Sequence, residues 1–419
     1  MPAKTLQEAF NAFNPRQPIK PEQVKTLFVP RAHSPVEDMR TSLELTNTPQ
    51  KLLFIGHRGA GKSSEMAYLS TLLEPAYLTI FVGIYDIFQN QAVSHTEVVF
   101  AVVLRLLAKA TDETVVPSGL VTEGWEKLLE SIFIPLRKQL FGDTPIPADK
   151  EPTIALKLHV LVAELEIKMG TESYTRTQVK NKFEGRIAEL LDQVKHLSQL
   201  LEAKLERKVL LIVEDLDKLD VAIVRELFLD HAQTLTAPYP SMIYSFPVEM
   251  RYENAYKQIE QSFDHPYVLP NIGLKHRDGT ANANARETMW NILLRRVEPE
   301  LFAAGVLDQA ITWSGGHVKL LVQLVQQSIL KSVVARKDIV QLEHMTAAQH
   351  RLRDDYIVML KQEQIDLLRQ LYESAKKDLV DVTPAKRELL ENISLLEYGN
   401  TVGPWADVNP IVITLLERE

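Results

Sequence analysis

The residues best suited to chemistry lie in one run, Gly56-His57-Arg58-Gly59-Ala60-Gly61-Lys62-Ser63-Ser64, an unbroken G-x-x-x-x-G-K-[ST]. Its glycines let backbone N–H groups turn inward toward phosphate oxygens, and Lys62 can neutralise β- and γ-phosphates. Ser63 can hold Mg²⁺ through its hydroxyl. For this the run must join a buried strand to a helix N-terminus, whose partial positive charge favours an anion. The flanks comply. Lys51-Leu-Leu-Phe-Ile55 is a short apolar run of the kind buried on both faces of a parallel sheet, and Glu65 to Leu73 has helical spacing. The motif predicts a P-loop, with residues 56–64 contacting ATP and Mg²⁺ as the accompanying ion.

Such a metal site needs a second strand that ends in carboxylates. Lys208-Val-Leu-Leu-Ile-Val-Glu214-Asp215 supplies one, about 150 residues downstream, so a sizeable insertion must lie between. The two acids stand in reverse of the usual Asp-then-Glu order. Glu214 falls at the metal position with Ser63, and Asp215 falls where a carboxylate polarises the attacking water. Asp217 and Asp220 read as caps of the next helix.

The strand ending Glu-Asp-Leu-Asp-Lys-Leu resembles the second nucleotide motif of AAA+ and STAND-type ATPases. Ser241-Met-Ile-Tyr-Ser245-Phe is similar to their sensor-1 strand, with Ser245 at the polar position that meets the γ-phosphate or the water. Ser314-Gly315-Gly316-His317-Val318-Lys319 resembles the sensor-2 Gly-Gly-x-x-Arg, most like that of the origin-initiator clade. Lys319 keeps the charge of the arginine and loses its bidentate fork. The resemblance spans roughly residues 28–334. It implies an α/β P-loop sheet with a helical lid, in which Val29 and Arg31 are candidates to pack on the adenine. It also implies an arginine donated to a neighbouring subunit, for which Arg251 is the choice over Arg286 and the Arg295-Arg296 pair.

The elements that must position these groups follow from patterning. Residues 1–50 read as a linker or arm, punctuated by Pro15, Pro18 and Pro21, with a helix from Val36 to Glu44. Residues 51–270 form the ATPase core, with strands at Lys51–Ile55, Tyr77–Ile84 and Lys208–Asp215 and a helix from His95 to Ala110. The helical insertion covers about 111–207. Its apolar stripe Phe183, Ile187, Leu190, Val194, Leu197, Leu201 and Leu205 is better explained by packing on the domain than by a free arm. Tyr174 to Lys180 reads as a mobile loop. Residues 271–345 form the lid. Residues 346–419 read as helices Met345–Gln362, Glu363–Ser374 and Pro384–Asn392, then a hairpin of Ile393–Tyr398 and Thr401–Asn409 about a Gly399-Asn400 turn. This is a winged-helix pattern, with Trp405 packed beneath the wing.

Composition narrows the function. No cysteine among 419 residues excludes disulfides, thiolate metal sites and a cysteine nucleophile. The eleven histidines have no ligand-like spacing, and His57 and His317 read as ordinary loop residues. A net charge of −8, with nine Lys+Arg against thirteen Asp+Glu in residues 351–419, disfavours a DNA-gripping wing. No leader and no apolar run of membrane-spanning length is evident, so a cytoplasmic protein is expected. The favoured expectation is an ATPase that acts as a nucleotide-driven switch or motor on a protein partner, with nucleotide-dependent self-assembly. A DNA-directed initiator or loader and a pseudo-ATPase are the alternatives.

Overall fold

The computed structural model describes residues 2–89, 92–110, 112, 138, 154–374, 377–400 and 403–417. Five parallel strands form the central sheet: β1 (Lys51–Gly56), β2 (Tyr77–Gly83), β3 (Lys208–Glu214), β4 (Ser241–Pro247) and β5 (His265–Val268). Their order is β2-β3-β4-β1-β5, with β1 inserted between β4 and β5. The register pairs Lys51 with Met242 and Gly83 with Glu214, so the strands end together on one edge. Alternate residues of β1 serve opposite faces: Leu53 and Ile55 join one core, Leu52 and Phe54 the other. This is the expected α/β P-loop sheet, covered on both sides because both faces are apolar.

The first face carries the helix His95–Ala110 and the insertion. Phe183, Leu190, Val194, Leu197 and Leu201 are buried, so the apolar stripe packs inward as predicted. Two short breaks divide the described insertion into helices Ile154–Thr171, Ser173–Phe183 and Ile187–Leu205. The segment Tyr174–Lys180 is therefore helix and not a loop. Thr175 and Val179 are buried there, and Arg176 pairs with Glu97 at 2.9 Å, contacts that local polarity does not reveal. The expected insertion residues 111–153, apart from 112 and 138, lie outside the described residues.

Beyond the sheet, lid helices Ala283–Leu294, Val306–Ser314 and Val318–Val334 share one apolar cluster with the C-terminal elements. The helix Leu342–Met359 runs through the boundary expected at 345/346, so lid and C-terminal region are packed as one body. Helices Gln362–Glu373 and Pro384–Glu391 precede an antiparallel hairpin of β6 (Leu395–Asn400) and β7 (Gly403–Val408). Gly399 and Asn400 lie within β6 rather than in the turn, because Asn400 pairs with Gly403; the linking residues 401 and 402 are outside the described set. A closing helix, Pro410–Leu416, capped by Asn409, was not legible as an element. Trp405 is buried and stacked on Tyr398, 4.6 Å between ring centroids, as expected of a residue under the hairpin.

The first fifty residues are not a solvated linker. Helix Leu6–Ala12 lays Ala9 and Phe13 into the lid cluster, Ala3 pairs with Val297, and Phe28 stacks on Tyr68 at 4.5 Å. The helix Val36–Leu45 covers the second sheet face, close to its predicted span.

Candidate nucleotide site

The strand β1 ends at Gly56 and the helix Lys62–Leu73 begins six residues later, so the P-loop sits at the C-terminal edge of the sheet. Gly59 and Gly61 have φ of +84° and +103°, backbone that a side chain would strain. A Cβ at Gly59 would also lie 2.6 Å from the Lys319 Cβ, so this loop tolerates no bulk where it meets the lid. A cavity of about 460 Å³ opens over the loop. Among its lining residues are Arg58, Lys62, Ser63, Glu214, Ser245 and Lys319. The segment Asn14–Ile19 closes another side, a contribution that its linker-like composition hides.

Lys62 is buried and held by three groups. Its Nζ donates to the carbonyls of Gly56 (2.7 Å) and His57 (2.9 Å) and pairs with Asp217 at 2.7 Å. Asp217 is thus no helix cap. Burial acts to raise its pKa, but the charge and hydrogen bond of Lys62 outweigh that and hold it below the usual carboxylate range. The Ser245 hydroxyl contacts the same carboxylate and accepts from the Leu216 N–H at 3.0 Å. Asp220 does cap, accepting from the Ala222 N–H at 2.8 Å. The two acids part company in the fold: Asp217 lies inside the short turn Leu216–Lys218 against Lys62, and Asp220 starts the next helix.

Glu214 is hydrogen-bonded to Ser63, the pair expected to hold the metal. Burial pushes its carboxyl up to about 7, against the Ser63 hydrogen bond. The carboxylates and hydroxyl meeting here are hard oxygen donors suited to Mg²⁺. Asp215 lies alongside with φ +74°; one oxygen pairs with Lys218 and the other accepts from the Tyr85 N–H at 3.3 Å. Lys319 lines the cavity from the lid, its pKa lowered by burial and by the nearby charges of Lys218, Arg58 and Arg16.

Two histidines whose spacing reads as ordinary loop positions make specific contacts across the fold. His317 caps the helix Val318–Val334, its Nδ1 accepting from the Leu320 N–H at 3.2 Å while Nε2–H donates to the Arg58 carbonyl at 2.8 Å. His57 is buried, and its Nε2 accepts from the Glu397 N–H at 2.8 Å. Burial, with nearby positive groups, lowers His57 to about 3 and His317 to about 4, so both rings are neutral. The Lys319 N–H donates to the Gly59 carbonyl at 3.1 Å. Residues 57, 58 and 59 are therefore each bonded to the lid or the hairpin.

The arginines redistribute. Arg251, expected at a neighbour's phosphates, is instead paired with Glu397 of its own chain at 2.9 Å, and Tyr252 donates to the other Glu397 oxygen at 2.8 Å. The desolvated Glu397 needs both partners, and that fixes Arg251 inward. Arg286 pairs with Asp308, while Arg295 and Arg296 bond backbone carbonyls, and Arg296 also lines the cavity. Arg31 pairs with Glu65 at 2.9 Å, its two terminal nitrogens lacking partners and one of them close to Gly61. Arg31 and Val29 line a smaller adjoining pocket with Arg296.

No family profile and no curated protein matches this sequence. Among solved structures, the chain is similar to a Walker-type ATPase of Pyrococcus abyssi, with 13% identity and a TM-score of 0.47 over 97% of this chain and 100% of that one. It is similar to the ORC2 protein of Aeropyrum pernix in an ADPNP–ADP complex, with 9% identity and a TM-score of 0.43 over 97% and 96% of the chains. It is also similar to the RuvB Holliday junction branch migration motor of Thermotoga maritima, with 11% identity and a TM-score of 0.37 over 92% and 91%. On its own strand order, its glycine loop and the acids ending β3, the chain has an α/β P-loop fold of the AAA+ type.

Proposed function

We propose that the protein is an ATPase working as a nucleotide-driven switch, in which the state of the P-loop sets the position of the lid and C-terminal hairpin and so the access of a protein partner. The observation that carries this is the set of bonds from consecutive P-loop residues to those elements: Glu397 N–H to His57, His317 to the Arg58 carbonyl, and Lys319 N–H to the Gly59 carbonyl. Through these bonds any movement of the loop around phosphates would reach the lid and the hairpin.

Ser63 and Glu214 would hold Mg²⁺, which when bound supplies positive charge against the β- and γ-phosphate oxygens. Lys62 leaves Asp217 to face the phosphates, Ser245 orients groups near the γ-phosphate, and Asp215 polarises the attacking water once Lys218 yields. The winged-helix reading of residues 346–419 belongs to the same proposal, as a protein-directed module. Helix Pro384–Glu391 buries Leu389 and Leu390, and Arg387 pairs with Glu253 of the core at 3.4 Å, so it is poorly placed to grip a duplex. Among the described residues no helix is long and apolar enough to cross a membrane, and a cytoplasmic location fits this role.

The test is hydrogen exchange across residues 395–408, with Mg²⁺ and either ADP or a non-hydrolysable ATP analogue. The switch requires different protection in the two states, and equal protection rejects it. Turnover is tested separately: Asp215→Asn should retain ATP and slow hydrolysis, while Glu214→Gln should weaken Mg²⁺ binding. The opposite pattern would exchange the two roles, and full activity in both would leave a nucleotide-binding protein without hydrolysis.

A further inference from the structure

Away from the P-loop, one face of the core gathers three side chains that the nucleotide chemistry does not use. His95 opens the helix His95–Ala110, and Glu226 and His231 flank the short helical segment after β3. One ligand-capable atom from each lies within 4.8 Å of the others. The imidazoles are stacked with centroids 3.6 Å apart at 24°, and the His231 Nε2 lies 4.0 Å from a Glu226 oxygen.

The backbone brings Glu226 and His231 together by an unusual route. Residues five apart on an α-helix point about 140° away from each other, at 3.6 residues per turn. Here Glu226–Asp230 is a π-helix, closed by the His231 N–H donating to the Glu226 carbonyl at 3.0 Å. That i→i+5 bond completes a wider turn and returns residue 231 to the side of residue 226. Single π-turns of this kind recur at functional sites. A second observation is independent of that turn. The His95 Nδ1 is fully buried with no hydrogen-bond partner, although most buried polar atoms have one.

We propose that His95, Glu226 and His231 form a binding site for a borderline divalent transition ion, with Zn²⁺ as the first choice. Two imidazoles and one carboxylate are a donor set that such an ion takes, with water or another side chain completing a tetrahedron. Donors around a tetrahedral zinc lie about 3.3 Å apart, for bonds of about 2.0–2.1 Å. The three ligand atoms lie within 4.8 Å of one another, so they would have to close in on the ion to reach that spacing. The ion would tie the helix that follows β2 to the turn that follows β3. These strands are neighbours in the sheet, so the site braces the side of the core that carries the insertion.

The experiment uses the full chain, stripped with chelator and free of nucleotide, titrated with Zn²⁺ against a chromophoric competitor and with Co²⁺ for its visible absorption. One tight equivalent is expected. His95→Gln and His231→Gln should each weaken it at least tenfold. Glu226→Gln, at an exposed position that leaves the core intact, should weaken it as well, so a folding failure in the histidine variants cannot decide the outcome. Zn²⁺ should raise the melting temperature of the wild type and not of the variants. Glu214→Gln should bind Zn²⁺ as the wild type does, separating this site from the nucleotide site. Absence of tight binding, affinity unchanged in the three site variants, or loss confined to Glu214→Gln would each overturn the proposal.

Discussion

At the residue scale the Lys62–Asp217 pair changes what a P-loop substitution does. Both side chains are nearly buried, 7% and 5% exposed. Lys62→Ala should weaken ATP binding by about 1.5–3 kcal/mol through loss of charge-assisted contacts. It also strands Asp217 in the interior, which should cost about 3–5 kcal/mol of stability. The double variant Lys62→Ala/Asp217→Asn should recover much of that stability and none of the ATP affinity. Urea unfolding and calorimetry read the two effects apart. Glu214 gives a pH prediction of defined sign. Its folded pKa, about 7, lies above the unfolded value near 4.5, so the folded chain binds the extra proton. Its stabilising contribution is full below the unfolded value and is lost as pH rises through 7, up to about 3 kcal/mol in total. Without metal and nucleotide, Glu214→Gln should flatten that part of the stability profile between pH 4.5 and 8. A profile unchanged by the substitution would show that Glu214 is ionised throughout.

At the element scale the hairpin β6–β7 is docked by Glu397 with its partners Arg251 and Tyr252, and by its N–H on His57. Glu397→Gln removes the charge opposite Arg251 and should release the hairpin, with faster hydrogen exchange in residues 395–408 and little change in β1. The histidines add a pH dependence of opposite sign to that of Glu214. Their folded values, about 3 and about 4, lie below the unfolded value near 6.5. Their stabilisation is present above 6.5 and is lost as pH falls from there through the folded values. Acidification from pH 7 to 4 should therefore loosen lid and hairpin together, and His317→Asn should reduce that dependence. Exchange measured across the pH series, corrected for the intrinsic rate, checks it.

At the scale of the whole molecule, the Arg251–Glu397 pair bears on assembly. A subunit whose Arg251 is paired with Glu397 offers it to a neighbour only if that pair opens. Light scattering should find a monomer without nucleotide. If opening and assembly are linked, a larger species should form with Mg²⁺ and a non-hydrolysable ATP analogue, and Glu397→Gln should shift that assembly to lower protein concentration. Equal masses in all conditions, with activity per chain independent of concentration, would make the protein a monomeric switch.

Contiguous patterns were legible in the sequence because their physics is local. A glycine run that must curl around phosphate, the apolar strand before it and the helix after it occupy adjacent residues, and so residues 51–73 could be read directly. The apolar run ending at Glu214 and Asp215 was readable for the same reason, as was the inward stripe of the insertion. Tertiary structure alone decided which of several acids meets Lys62, since Asp217 lies 155 positions away and looked like a cap. It alone placed Arg251 on Glu397, His57 on the hairpin and residues 14–19 at the site. Burial energies are set by every element packed around a group. A charged side chain chooses its partner by desolvation in the finished fold, and no spacing along the chain encodes that choice.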